Sequence, residues 1–404
     1  MLIELPKPHS QGQKELIQST EMDVVLAGRR WGKTHSGVQR IIFNALEDPG
    51  LYWWVGLGWR SASLKRAWRE LKQIATVLWA AYGDKKPDKY IRESAKELVL
   101  PGGSEVWMRT AERPDSLAGE GIKGCVLDEF TLMKEEVWTE YIEATLLDFM
   151  GWAMFIGVPK GNNWGGRLWK NAREREGWNQ WHFPTSSNPA LDLKRLESIR
   201  SHTPAKLFSQ EYLAELVDGA GLVFSGIYDC IRALLSETPK EHGEYVFGLD
   251  WGKSHDFTVV SVIDVETKDV VWIDRFTDTE YSTQRNRIKK LNDIFKPRCI
   301  VAEANTMGGP LCEQLQDDGL PVEEFWTTNK SKREIIEGLV VGIEQQEIGL
   351  PDFKPLLTEL EAYESKVTAQ GNITYNAPSG EHDDCVVSLA LAWDQVRHDT
   401  GITF

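Results

Sequence analysis

Val24-Val25-Leu26-Ala27-Gly28-Arg29-Arg30-Trp31-Gly32-Lys33-Thr34 reads as an apolar strand running into a short loop, and the pattern after Thr34 is helical. Ala27-x-x-x-x-Gly32-Lys33-Thr34 matches the phosphate-loop pattern with Ala where Gly is commonest, in the strand-to-helix context the pattern requires. Backbone N–H groups of such a loop, together with the free donors at the following helix start, surround phosphate oxygens. Lys33 is placed to reach the β and γ phosphates and Thr34 to ligate Mg²⁺. Residues Ala27, Gly28, Arg29, Arg30, Trp31, Gly32, Lys33 and Thr34 are therefore the expected cradle for ATP.

A second apolar strand, Val126-Leu127, ends in Asp128-Glu129. Phosphate-loop hydrolases divide two tasks between such acids, so Asp128 is expected in the Mg²⁺ shell and Glu129 beside the attacking water. Gln13, shortly upstream of the first strand, is a candidate for the adenine edge, its alternative being an ordinary exposed glutamine. Gly157-Val158-Pro159-Lys160, at the end of another core strand, is a candidate γ-phosphate sensor or simply a turn.

Around these motifs, apolar runs at Val24–Ala27, Tyr52–Val55, Cys125–Leu127 and Ala153–Ile156 alternate with helical patterns, which predicts a mostly parallel sheet flanked by helices. Pro101-Gly102-Gly103 predicts a hairpin between 98–100 and 106–108. From Asn188 to Asp218 the pattern is helical and polar, and Gly219-Ala220-Gly221 breaks it as a hinge. Beyond residue 240 the spacing changes. Strands at 245–250, 258–264 and 269–275 leave room only for an antiparallel meander, followed by a helix at 282–295, a strand at 299–303 and helices at 332–346, 354–363 and 382–396. The expected organisation is an α/β chain with a phosphate-loop ATPase domain over 1–187, a helical linker or lid over 188–240 and a second domain over 241–404.

In that second domain Asp250 and Glu303 end strands and Asp383-Asp384 opens the last helix. Acids at strand ends and a helix start, separated in sequence, are what a two-metal phosphodiesterase site needs, since hard Mg²⁺ or Mn²⁺ ions take oxygen ligands. The order of meander, helix, strand and terminal helix is that of a ribonuclease H-like fold. Asp256, in a polar turn with Lys253 and His255, is a further candidate ligand or a turn-forming acid. His382 could touch metal or substrate. Lys330, Lys332 and Arg333, and in the first half Arg60, Lys65, Arg66 and Arg69, are either phosphate-contact clusters or solvated helix faces.

Composition sets outer bounds. The 404 residues carry a formal net charge of -15, which excludes a protein coating nucleic acid non-specifically but permits local contact. With 41% hydrophobic residues and no apolar run near the roughly 18 residues of a membrane span, a water-soluble chain is expected. The start, Met-Leu-Ile-Glu-Leu-Pro-Lys-Pro-His, lacks the order of a secretory signal, so no export is expected. Five cysteines without a Cys-x-x-Cys pair read as reduced thiols. Among the 17 tryptophans, Trp53, Trp54 and Trp107 lie in strand patterns and are expected in the core.

Taken together, the motifs resemble the large terminase subunit of tailed bacteriophages. The resemblance spans nearly the whole chain: His9-x-x-x-Gln13, Gly28-Arg29-Arg30-Trp31-Gly32-Lys33-Thr34, Val126-Leu127-Asp128-Glu129, Val158-Pro159, Gly248-Leu249-Asp250, Ala302-Glu303 and His382-Asp383-Asp384. It implies an ATPase that translocates double-stranded DNA into a procapsid and a Mg²⁺- or Mn²⁺-dependent endonuclease that cuts concatemers. Gln13 would contact adenine, Lys33 and Thr34 the nucleotide and its Mg²⁺, Glu129 would be the catalytic acid, and Asp250, Glu303 and Asp383 or Asp384 the nuclease metal ligands. It further implies a portal protein and a small terminase subunit as partners, a ring of five subunits on the portal, a monomer in isolation, no membrane, and a place in the host cytoplasm at the procapsid portal. Two departures stand out. Gly157-Val158-Pro159 lacks the hydroxyl residue often found before that proline, and Leu117-Ala118-Gly119 lacks an arginine that would serve a neighbouring subunit, with Arg113 or a phosphate-loop arginine as substitutes. From the residues alone two other readings stay open: an ATPase-regulated, resolvase-like repair or recombination nuclease, and an ATP-gated DNA-binding or assembly factor whose acids are structural.

Overall fold

The computed structural model describes residues 7–84, 86–161, 163–217, 221–252, 256–277, 279–367 and 373–398. Lys253 and His255 of the polar turn, Asp218 at the end of the expected helical stretch, Gly219 and Ala220 of the expected hinge and the first six residues of the expected unexported start lie outside them. The chain divides into two compact units, one of Met1–Glu197 with Lys206–Asp218, the other of Ser198–Ala205 with Gly219–Phe404.

The first unit contains α1 (Gln11–Gln18), β1 (Met22–Ala27), α2 (Lys33–Glu47), β2 (Leu51–Gly56), α3 (Ala62–Ala81), β3 (Ile91–Arg92), β4 (Glu97–Val99), β5 (Glu105–Thr110), β6 (Gly124–Asp128), the short α4 (Glu143–Thr145), β7 (Trp152–Gly157), α5 (Trp164–Asn171) and β8 (Trp178–Phe183). The eight strands form one sheet in the order β3-β4-β5-β2-β6-β7-β1-β8. It is parallel from β5 to β8, and the expected hairpin supplies the antiparallel edge formed by β4 and β5. Because strand side chains alternate in direction, β1 sends Val25 and Ala27 to one face, with residues of α2 and α3, and Val24 and Leu26 to the other, with Trp138 and Trp164. Trp53 and Trp54 diverge in the same way and are fully buried, whereas Trp107 is half-buried. Beneath β1 a buried ion pair, Arg40 to Asp23 at 2.5 Å, ties the strand to α2; Trp181 and Ser19 also donate to Asp23, each at 2.6 Å.

Helices α6 (Leu193–Arg200) and α7 (Ala205–Phe208), with a wide turn over Ser209–Leu213, follow. The second unit then runs through β9 (Gly221–Leu222), β10 (Ile231–Ala233), β11 (Tyr245–Asp250), β12 (Thr258–Asp264), β13 (Val270–Phe276), α8 (Tyr281–Phe295), β14 (Cys299–Glu303), α9 (Gly308–Asp317), β15 (Val322–Phe325), α10 (Asn329–Glu344), β16 (Leu350–Pro351), α11 (Lys354–Ala362), β17 (Glu364–Val367), β18 (Ile373–Asn376) and α12 (Asp384–Arg397). Its main sheet has the order β13-β12-β11-β14-β15, with the expected antiparallel meander on one side and parallel pairing of β11, β14 and β15 on the other. One face packs on α10 and α12, the other on α8 and α9. Helix α12 lies so close to β11 that a Cβ on Gly248 would meet the Ser388 carbonyl oxygen at 1.9 Å, so only glycine fits there. That contact brings the start of α12 beside the end of β11.

Candidate nucleotide and metal sites

In the first unit a cavity of about 440 Å³ opens at the end of β1. Lys33 and Thr34 reach it from the start of α2, Asp128 and Glu129 from the end of β6, Gly157, Val158 and Lys160 from the end of β7, and Ser63 and Arg66 from α3. The separate runs of sequence singled out above thus meet at one place. Gly32, in the left-handed region at φ 113, precedes helix α2 as its cap, and no side chain caps the first N–H groups, so those donors remain available. The Lys33 ammonium donates to the carbonyls of Ala27 at 2.6 Å and Gly28 at 2.9 Å, folding back over its own loop. Burial lowers its pKa to about 8.

The loop is gripped on its outer side. Thr185 donates to the Arg29 carbonyl at 2.8 Å, Asn188 to that of Arg30 at 3.0 Å, and the Trp31 indole to Ser187 at 2.9 Å while stacking on Phe183. Trp31 is therefore a buried anchor of the loop. Gln13 grips from beneath: its side-chain amide donates to the Trp31 carbonyl at 2.8 Å and its side-chain oxygen accepts the His9 N–H at 2.7 Å. It is fully buried in this position, a bracing geometry that an exposed glutamine would not have.

Asp128 is buried, and burial followed by the neighbouring Glu129 raises its pKa to about 7 against the pull of Lys33. Its Oδ2 finds no hydrogen-bond partner among the described residues, an expensive state for a buried carboxylate oxygen. A divalent cation between Asp128 and Thr34 would satisfy that oxygen, so the donors fit a nucleotide-bound Mg²⁺. Glu129 sits in the left-handed region at φ 62, a conformation costing a non-glycine residue about 1–3 kcal/mol. It is held there by its N–H to the Ile156 carbonyl and by the Leu132 N–H to its own carbonyl, each at 2.9 Å. The backbone strain aims the carboxylate into the cavity, where Ser61 donates to it at 3.4 Å.

Three lining residues had no sequence signal. Glu211 follows α7, accepts Lys160 at 2.5 Å and pairs with the Arg29 guanidinium; burial opposes its charge, yet the two cations hold its pKa below the usual carboxylate value. Thr131 donates to the Val158 carbonyl at 2.8 Å, placing a hydroxyl against the loop whose own sequence lacks one. Ser63 lines the cavity together with Asp128. Arg113 and Ala118 are exposed or lie away from the cavity and do not line it, whereas Arg29, Arg30 and Arg66 do.

In the second unit Asp250 and Glu303 end neighbouring parallel strands, β11 and β14. Asp383 caps α12 and Asp384 opens it. Burial, then the charges of Glu303 and Asp384, raise the Asp250 pKa well above the carboxylate range. Burial also raises Asp384 to about 6, while its Oδ2 accepts the Phe257 N–H at 3.1 Å. Asp383 instead accepts Lys332 at 2.9 Å and the Tyr363 hydroxyl at 3.4 Å. His382 lies 3.6 Å from Asp384 and 3.7 Å from the exposed Asp256. Of the expected basic cluster only Lys332 turns to these acids; Arg333 pairs with Glu337, and Lys330 is exposed beside Glu334. Among the described residues no three His, Cys, Asp or Glu side chains stand at metal-holding distance. Neighbouring carboxylates repel one another, and that repulsion adds to burial in raising the Asp250 pKa. The all-oxygen donor set suits Mg²⁺ or Mn²⁺. No helix among the described residues is long and apolar enough to cross a membrane.

A family model described as the terminase RNaseH-like domain matches residues 247–395. The large terminase subunit of Thermus virus P23-45 is 29% identical across 98% of this chain and 89% of its own length, and that of Thermus phage G20c is 28% identical over the same shares. The crystal structure of a large terminase from another thermophilic bacteriophage, 13% identical, covers 98% of this chain and 99% of its own with a TM-score of 0.54, a likeness of fold.

Proposed function

We propose that this chain is a large terminase subunit of the kind found in tailed bacteriophages, an ATP-driven DNA-packaging motor joined to a metal-dependent DNA endonuclease. The observation that carries the reading is the convergence of Lys33, Thr34, Asp128 and Glu129 from distant parts of the sequence on one cavity. In the ATPase the Lys33 ammonium exchanges the Ala27 and Gly28 carbonyls for phosphate oxygens, and the free N–H groups at the start of α2 receive the others. Thr34 and Asp128 hold Mg²⁺, which when bound neutralises charge on the β and γ phosphates. Glu129 orients the attacking water and takes its proton. Gln13 serves the same site by steadying the Trp31 carbonyl beneath the loop; its assignment to the adenine edge rests on the family resemblance alone.

In the nuclease, Asp250, Glu303, Asp383 and Asp384, with Asp256 at the rim, would hold Mg²⁺ or Mn²⁺ ions, which would supply water activation and charge stabilisation at the leaving oxygen. The protein's contribution is a set of acids, Asp250 buried and the others partly exposed, fixed on the ends of β11 and β14 and the start of α12. The partners are double-stranded DNA, a portal protein, a small terminase subunit and the procapsid. The working form is a five-membered ring at the portal in the host cytoplasm, and the isolated chain is a monomer.

The test is ATP-driven packaging of linear DNA into procapsids of the same virus. Wild type and Asp250→Ala are expected to package and Glu129→Gln to fail. Packaging by Glu129→Gln at the wild-type rate would refute the motor assignment.

A further inference from the structure

Helix α3 carries an exposed basic face in a chain whose net charge is -15. Arg60, just before the helix, and Lys65, Arg66 and Arg69 on it are exposed, and among the described residues none of the four pairs with an acid. The spacing of 65, 66 and 69 places the last three on one side of the helix. Lys65 and Arg69, with Lys72 and Lys96, wall a groove of about 630 Å³ whose apolar lining includes Trp59 and Trp68. Trp68 is buried but Trp59 is 44% exposed.

One acid, Glu93, lines this groove, and it is already engaged. It accepts Lys72 at 3.0 Å, Lys96 at 2.5 Å and the Trp68 indole at 3.1 Å. Lys72 and Lys96 also stand 5.5 Å from the Trp68 ring, which fixes two of the cations in place. Lys65 and Arg69 have no such engagement, and solvated cations held together in this way repel one another until an anion arrives.

We infer that this groove receives the phosphodiester backbone of double-stranded DNA. Long cations converging on a cleft, with no amide side chain among its lining residues to read base edges, favour contact with phosphates rather than sequence. Lys65 and Lys72 lie about 10 Å apart along the helix, a span comparable to about three base-pair steps of about 3.4 Å along the duplex axis. The same helix also presents Ser63 and Arg66 to the nucleotide cavity, so α3 joins the groove to the ATP site. The inference rests on the packaging reading and adds to it the face that grips the duplex.

The experiment uses the full chain and a labelled duplex of about 30 base pairs, with fluorescence anisotropy read from about 50 to about 200 mM salt. Lys65→Glu with Arg69→Glu is expected to weaken duplex binding at least about tenfold and to flatten the salt dependence by about two phosphate contacts. Lys65→Ala with Arg69→Ala shows the same trend more weakly, and Lys65→Arg restores binding. ATP turnover without DNA stays within about twofold of wild type in all of them. Unchanged duplex affinity and salt slope, an effect on single-stranded DNA alone, or altered self-association with intact DNA binding would each overturn the inference. A wild-type chain that binds no duplex at all, yet hydrolyses ATP, would instead overturn the packaging reading itself.

Discussion

Glu211 joins two sides of the nucleotide cavity by accepting the Lys160 ammonium at 2.5 Å while its other oxygen pairs with the Arg29 guanidinium. Its main-chain carbonyl also accepts the Arg29 N–H at 2.8 Å. One acid thereby links the phosphate loop, the turn after β7 and the segment following α7. Removing a buried charge from such a cluster strands its partners. Glu211→Ala is expected to destabilise the first unit by about 3 kcal/mol, measured by urea unfolding, and to slow ATP turnover by about tenfold or more through misplaced cations. Glu211→Asp should recover part of both losses, whereas equal loss in the two variants would remove the pairing from the explanation.

Asp128 supplies a pH dependence. Its pKa is raised to about 7, so below neutrality the group is protonated in the free protein and above it is a carboxylate. A metal must displace that proton, and Mg²⁺-dependent nucleotide affinity is therefore expected to fall as pH drops below about 7, approaching about tenfold per unit. Titration of a fluorescent nucleotide with Mg²⁺ between about pH 5.5 and 8 measures it. A flat profile in wild type would mean that Asp128 does not hold the ion.

The Arg40–Asp23 pair beneath β1 is completely buried on both sides, and Arg40 also donates to the Glu21 carbonyl at 2.7 Å. Either Asp23→Asn or Arg40→Met leaves a charge in the interior. Each is expected to cost about 3–5 kcal/mol, read as a lower unfolding midpoint, while the double replacement costs less than the two single effects added together. Simple additivity would show that the pair does not act as a unit.

At the acid cluster the two neighbours Asp383 and Asp384 are not equivalent. Lys332 already balances Asp383, whereas Asp384 acts more strongly than Asp383 on the protonation of Asp250. Asp384→Asn is expected to lower Mn²⁺-dependent plasmid cleavage at least about a hundredfold and Asp383→Asn less than about tenfold, taking general metal-site losses as the scale. The reverse order would make Asp383 the principal ligand.

Much of this was legible in the sequence, for local reasons. The phosphate loop is contiguous, and its strand and helix flank it directly. Asp128, Asp250 and Glu303 end apolar runs, so their place at a sheet edge follows from the strands alone. Glu211 was not legible: it lies in a polar helical stretch and its partners Arg29 and Lys160 are distant in sequence. Strand β8 escaped because Trp-Asn-Gln-Trp-His-Phe, Trp178–Phe183, is half-buried or exposed throughout, so no alternation marks it as an edge strand. Gly221 does follow the end of the helical pattern, as the first residue of β9. The last helix begins at Asp384 rather than His382, because Asp383 takes a capping conformation at φ -130. The arrangement of Lys330, Lys332 and Arg333 likewise depended on tertiary partners, Asp383 and Glu337, that spacing does not reveal.

The most direct test of two separate catalytic sites in one chain is a paired assay of ATP turnover and Mn²⁺-dependent plasmid cleavage on wild type, Glu129→Gln and Asp250→Ala. Glu129→Gln is expected to lose about 10²- to 10⁴-fold in ATP turnover and to keep cleavage. Asp250→Ala is expected to do the opposite. Full ATP turnover in Glu129→Gln together with full cleavage in Asp250→Ala would contradict the account.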